Sequence, residues 1–108
     1  MELRKYPRFP VQFRSSFSSV QVVGGEGKGI DLSLRGCRVE SNTEVQPGAN
    51  LELRLYMPGH DSPIEVDVAT VRWTRGKQFG LEFMNIRAEE RERLRQVVRD
   101  IELSVRLT

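Results

Sequence analysis

A chain of 108 residues suits one domain, able to bury a core but too small for a deep cleft between two lobes. It is 38% hydrophobic and 30% charged, with 17 Lys and Arg against 15 Asp and Glu; the net charge of +2 is too weak by itself to argue for nucleic acid. The single cysteine, Cys37, excludes an intrachain disulfide, and no apolar run approaches the roughly 20 residues of a membrane span, so a reducing, cytoplasmic setting without membrane insertion is expected.

The basic charge gathers at the start: Arg4, Lys5, Arg8 and Arg14 stand against Glu2. Residues 1–10 read as a mobile segment ahead of the first strand. A β region is expected over residues 11–84. Val11, Phe13 and Phe17 share one parity and Val20 and Val22 the other, which calls for a bulge near Ser15–Ser19. VGGEGKG, residues 23–29, holds four glycines in seven positions and reads as a flexible loop. A short strand from Cys37 to Ser41 follows, then a Pro47-Gly48 turn and the alternating Leu51, Leu53 and Leu55. After a turn at Met57–Pro63 come Ile64, Val66 and Val68, then a phase change to Ala69, Val71 and Trp73 that predicts a second bulge. Arg75-Gly76-Lys77 makes a tight connection to Phe79, Leu81 and Phe83. Short strands with tight turns predict a mainly β fold, a small antiparallel barrel. Over residues 87–105 the period changes: Leu94, Val97, Val98, Ile101 and Val105 form the stripe of an amphipathic helix, which covers the barrel or meets a partner. Glu89 and Glu90 in its first turns suit the macrodipole.

The glycine run fails as a nucleotide loop. Lys28 is followed by Gly29 where a Walker loop needs Ser or Thr, and Ile30 stands where a dinucleotide fingerprint needs its third glycine. Enzyme chemistry is not expected. His60 is the only histidine and lies in a turn, Cys37 falls on a strand and reads as a small buried residue, and the carboxylates are scattered. No metal and no cofactor is expected.

Two stretches remain. RKYPR at residues 4–8 sets Arg4 and Arg8 around Pro7, and DLSLRG at residues 31–36 carries Asp31, Ser33 and Gly36. Taken singly, the arginines are solubilising charges and the second stretch an Asx-type turn. In this order, ahead of short strands and a closing helix, they resemble the PilZ domain, a bacterial family that binds the second messenger cyclic di-GMP. The resemblance runs from RKYPR through the helix and takes in ATVRWTRGKQFGLEF, where Val71, Trp73, Gly80 and Phe83 look like the family's last two strands. It implies a six-stranded split β-barrel with a C-terminal α-helix, here as a stand-alone member, and a non-enzymatic receptor or adaptor. Motility, exopolysaccharide or virulence outputs are equally compatible with it. It also implies Arg4 and Arg8 as the principal ligand clamps, with Asp31, Ser33 and Gly36 completing the site.

The residue types suit that ligand, a ring of two guanosines joined by two phosphodiesters. Arginine forks onto phosphate oxygens or guanine O6 and N7 and stacks on a base, whereas lysine cannot. An aspartate accepts from guanine N1 and N2. Asp31 and Ser33, two apart in an extended segment, are expected to face one side while Leu32 and Leu34 turn to the core. Gly36 permits a sharp turn or a close approach. Lys5, Arg35, Arg38 and Trp73 are secondary candidates: Lys5 for long-range attraction, Arg35 for a phosphate contact or as a solvated charge. Arg38 lies beyond the loop with Cys37 and Val39 on the opposite face, and Trp73 is a barrel-wall residue or a stacking platform. Ligand binding is expected to order the N-terminal segment and signal to an effector protein; the helix stripe leaves room for a homodimer. Two alternatives stand beside this reading. One is a PilZ-like interaction module without ligand. The other is a basic barrel binding single-stranded nucleic acid, disfavoured because Phe13, Phe17, Phe79 and Phe83 fall on apolar parities.

Overall fold

The computed structural model describes residues 7–107, with side chains through residue 104. Strands β1 (Phe9–Ser18), β2 (Gly25–Leu32), β3 (Gly36–Glu40), β4 (Asn50–Tyr56), β5 (Ile64–Arg75) and β6 (Gln78–Asn85) are followed by helix α1 (Ala88–Leu107). The strands pair antiparallel and close in the order β1-β2-β3-β6-β5-β4. This is the expected six-stranded barrel with one C-terminal helix. Among the described residues, closure gives each strand a neighbour on both sides over part of its length, so no whole strand is left as an edge. Phe9 and Pro10 pair with Leu32 and Asp31, so the barrel starts two residues before the expected position 11.

Period-two alternation builds the core. Phe13, Ser15 and Phe17 of β1, Leu51, Leu53 and Leu55 of β4, and Phe79, Leu81 and Phe83 of β6 are all buried. The phase change in β5 is real: the register shifts between Val68 and Ala69, and again between Val71 and Trp73. The first shift keeps Ala69 and Val71 in the core after Ile64 and Val66, and the second leaves Trp73 half-buried on the outer face.

Two expectations are corrected. From Gly25 on, the glycine run is strand β2 rather than a loop; Val23 and Gly24 stay in the connection before it. Gly25 lies opposite Phe17 and Gly29 opposite Phe13, and a Cβ at either position would overlap the facing ring. The missing side chains are the space in which the two phenylalanines pack, and Phe17 meets Phe79 edge to face with centroids 5.4 Å apart. Glycine weakens an isolated strand, but here cross-strand ring packing and two ladders hold it. The bulge in β1 lies between Pro10 and Phe13, not in Ser15–Ser19. Val20 and Val22 belong to the connection after β1, closed by Ser19 N–H donating to the Val22 carbonyl at 2.8 Å, with Val20 fully exposed.

Helix α1 covers the barrel. Leu94, Val97 and Val98 are buried against it, and Ile101 is partly so. Glu90 does more than complement the macrodipole: buried itself, it accepts the Glu65 N–H at 2.9 Å and pairs with Arg93 at 3.1 Å. Arg93 in turn donates to the Ser62 carbonyl at 2.7 Å and the Pro63 carbonyl at 3.0 Å. These bonds lock the helix start to the head of β5. Truncating Leu94 to alanine would cost about 2–5 kcal/mol in lost transfer energy and residual cavity.

Candidate functional site

Arg4 and Lys5 lie outside the described residues. The other candidates fall within two neighbourhoods, one around Asp31 and one around the turn that follows it.

Asp31 sits near the end of β2, opposite Pro10 on one side and Arg38 on the other. Its carboxylate is largely covered. Oδ1 accepts the Arg38 backbone N–H at 3.0 Å and lies 3.7 Å from the Arg8 guanidinium, while Oδ2 lies 3.2 Å from Arg38 Nε. The last contact is an ion pair and not a hydrogen bond, because Nε–H is buried and misaligned with the oxygen. The structure therefore brings Arg8, Asp31 and Arg38 together around one carboxylate. Arg38 flanks Asp31 as closely as Arg8 does, a role that the sequence placed second.

The register carries this face further around the barrel. Arg38 lies opposite Gly80, and Gly80 opposite Trp73. A Cβ on Gly80 would strike the indole, so Trp73 lies over the glycine on the same outer surface as Arg38. Cys37 and Val39 point inward and are fully buried. Burial pushes the Cys37 thiol well above its ordinary range, the Asp31 carboxylate adds to the rise, and Arg8 opposes it.

Ser33–Gly36 forms the turn from β2 to β3. Ser33 N–H donates to the Gly36 carbonyl at 2.9 Å, and the Ser33 hydroxyl accepts the N–H groups of Arg35 and Gly36, each at 3.1 Å. The hydroxyl also donates to the Gly36 carbonyl at 3.3 Å. Here the Ser33 side chain shapes the turn; it is buried and engaged. Gly36 is required by close approach, since a Cβ there would overlap the Leu81 carbonyl oxygen of β6. Leu32 is in the core as expected, but Leu34 is not: β2 ends at Leu32, the chain reverses, and Leu34 is 36% exposed.

Arg35 turns away from Asp31 towards β6, where its guanidinium meets Glu82 at 3.3 Å. Arg72 Nε donates to the same carboxylate at 2.6 Å. The Arg72 bond is the main reason that the Glu82 carboxyl is held below its ordinary range. Glu82 and Arg72 were not singled out from sequence. The available signal was their outward parity on two neighbouring strands, which marks charge pairing but not where Arg35 would reach.

The PilZ domain model matches residues 2–100. The chain belongs to the PilZ domain family. PilZ domains are non-enzymatic and generally bind cyclic di-GMP. Among curated proteins, none matches the chain by sequence. Solved structures do match by fold. The structure of YcgR from Escherichia coli in complex with c-di-GMP superposes with a TM-score of 0.80 at 18% identity, over 97% of this chain and 48% of that one. The isolated PilZ domain of YcgR with c-di-GMP gives 0.76 at 17% identity, over 97% and 95%. The Bacillus subtilis inhibitor of motility, MotI/DgrA, gives 0.74 at 19% identity, over 96% and 53%. The chain thus spans about half the length of full YcgR and of MotI/DgrA. At these identities the likeness shows the fold. Among the described residues, no helix is long and apolar enough to cross a membrane.

Proposed function

We propose that this PilZ domain is a cyclic di-GMP receptor that binds the dinucleotide on the outer face around Asp31 and passes its state to a protein partner. The observation that carries the reading is the Asp31 carboxylate, nearly covered and flanked by Arg8 and Arg38. A carboxylate between two guanidinium groups offers complementary recognition: it accepts from guanine N1 and N2 while the arginines take phosphate oxygens or the guanine O6 and N7 edge. Arg8, with Arg4 four residues ahead of it in sequence, supplies the clamp. Arg38 grips from the β3 side, and Trp73 offers an indole beside it. Ser33 and Gly36 hold the turn that fixes where Asp31 sits. Lys5 adds long-range attraction, and Arg35 would reach a phosphate only by leaving Glu82. The lone, buried thiol suits a reducing compartment, and we place the domain in the cytoplasm.

Calorimetric titration with cyclic di-GMP, GTP and a short single-stranded oligonucleotide tests the proposal. Saturable binding of cyclic di-GMP alone is expected. Arg8→Ala and Asp31→Ala should each weaken it roughly ten- to a hundredfold, the worth of one charge-assisted hydrogen bond. Absence of binding would return the domain to a ligand-free interaction module, and preference for the oligonucleotide would sink the reading altogether.

A further inference from the structure

We infer that the groove between the Ser33–Gly36 turn, β6 and the start of α1 docks an acidic peptide segment of a protein partner, which inserts an apolar side chain between Leu34 and Met84. The inference rests on the proposed function for its dependence on ligand, but the surface itself is argued from its own chemistry.

The groove has a volume of about 440 Å³, and its walls include Leu34, Arg35, Glu82, Met84, Arg91 and Arg95. Leu34 is 36% and Met84 52% exposed, two large apolar side chains offered at one place. Apolar side chains so grouped and rimmed by charge mark a contact surface. The rim is basic. Arg35 reaches Glu82, as Arg72 does from beyond the lining; among the described residues Arg95 pairs with exposed Glu92 at 2.7 Å and exposed Arg91 has no ion-pair partner. Three arginines, Arg35, Arg91 and Arg95, thus line the groove with one glutamate, Glu82, and the charge that Arg91 offers selects carboxylates in a partner. An anionic lipid surface fits less well. The site is concave, and Glu82 stands within it, where a flat anionic sheet would meet a like charge. A peptide can place its carboxylates on the rim and its apolar residue on the floor.

The turn links this groove to the Asp31 face. Leu34 and Arg35 are the central residues of the turn that begins two positions after Asp31. The Arg35 carbonyl accepts the Phe83 N–H at 2.8 Å, and Met84 follows directly. A ligand drawing on Asp31 and Arg38 therefore acts at one end of a short covalent path whose other end forms the groove wall, the arrangement through which ligand changes partner affinity.

The test uses the full chain, isotope-labelled, and three probes: a short synthetic peptide of glutamates interrupted by leucines, its lysine-for-glutamate counterpart, and vesicles of phosphatidylglycerol and phosphatidylcholine. The acidic peptide should shift amides at Leu34, Arg35, Met84 and Arg91, and its affinity should change on adding cyclic di-GMP. The exposed double variant Arg91→Glu, Arg95→Glu should weaken the peptide about tenfold while leaving calorimetric affinity for cyclic di-GMP unchanged. Equal response to the lysine peptide, binding to vesicles in its place, shifts confined elsewhere, or self-association that covers these amides would overturn the inference. Failure of cyclic di-GMP to bind, with the peptide response intact, would instead remove the proposed function and leave the docking surface standing.

Discussion

Replacing Asp31 by asparagine keeps the volume and one acceptor but removes the charge, so it separates what the carboxylate does for the fold from what it does for the ligand. In the protein alone, Oδ1 accepts the Arg38 N–H at 3.0 Å, a bond that an amide oxygen can keep. The two ion pairs, at 3.7 Å to Arg8 and 3.2 Å to Arg38, are lost; their arginine side chains are 28% and 41% exposed. Screening at that exposure leaves each pair about 0.5–1 kcal/mol. The variant should lose about 1–2 kcal/mol of stability, which in a domain of this size lowers Tm by about 4–9 °C. The effect on ligand is larger. Under the proposed function, a carboxylate that accepts from the guanine N1 and N2 donors becomes an amide whose NH2 confronts one of them, which costs one charge-assisted bond and leaves a donor unpaired. That is about 3 kcal/mol, or roughly a hundredfold in Kd. Calorimetry and thermal unfolding on the same preparation measure both. A variant whose Tm falls as expected but whose cyclic di-GMP affinity stays within about threefold of wild type would show that Asp31 only organises the two arginines, and the reasoning about base recognition would fail.

Further outcomes concern the scaffold. Gly36→Ala should lower stability by about 2 kcal/mol or more, because its Cβ meets backbone that cannot step aside; an unchanged urea midpoint would remove the close approach of β3 and β6 as the reason for glycine there. Gly29→Ala should cost about 1–3 kcal/mol by displacing the buried Phe13 ring, read from the same urea midpoint. At Glu90, burial alone would raise the carboxyl, but the Glu65 N–H, then Arg93 and Arg87, outweigh it and hold the carboxyl below its ordinary range. A depressed folded pKa gives stability that is present above the unfolded value, about 4.3, and is lost as pH falls through the folded one. Glu90→Gln should therefore flatten the acid limb of a stability-against-pH curve, and a limb as steep as wild type would contradict that origin. Cys37, buried and with its thiol pushed up, should resist a thiol reagent at mildly alkaline pH until urea exposes it.

Strands with strict alternation, such as Leu51, Leu53 and Leu55, were legible because one buried face imposes period two. The phase change at Ala69 was legible for the same reason: a strand can keep its apolar side inward only if a residue is inserted. The glycine strand was not. Its side-chain pattern is absence, and absence becomes a strand only when Phe13 and Phe17 on β1 fill the space, a cross-strand relation that no local window contains. Leu34 was misread because period two was carried past Leu32 into a turn, where the Ser33 hydroxyl bonds reverse the chain. At the site, Asp31 was marked by sequence, whereas Arg38 and Trp73 reach its neighbourhood only through the pairing of β2 with β3, β3 with β6 and β6 with β5.

The same bonds bear on how a signal would leave the site. The Ser33–Gly36 turn is fixed on three sides: by the Ser33 hydroxyl within it, by β6 packed against Gly36, and by the Arg35 carbonyl bonded to Phe83. A turn held in this way gives up little backbone freedom when ligand arrives, so its ordering adds little to the entropic cost of binding. The groups that would respond are the side chains that share carboxylates, Arg8 and Arg38 on Asp31 and Arg35 and Arg72 on Glu82. Under the proposed function, ligand phosphate competes with Asp31 for the first pair, and the rigid turn passes that change to the second as a shift in position rather than an unfolding. Ligand should then alter side-chain signals of Arg35 and Arg72 while amide exchange within residues 33–36 stays slow. Fast exchange of those amides in the free protein, slowed by cyclic di-GMP, would show that the turn itself is what orders.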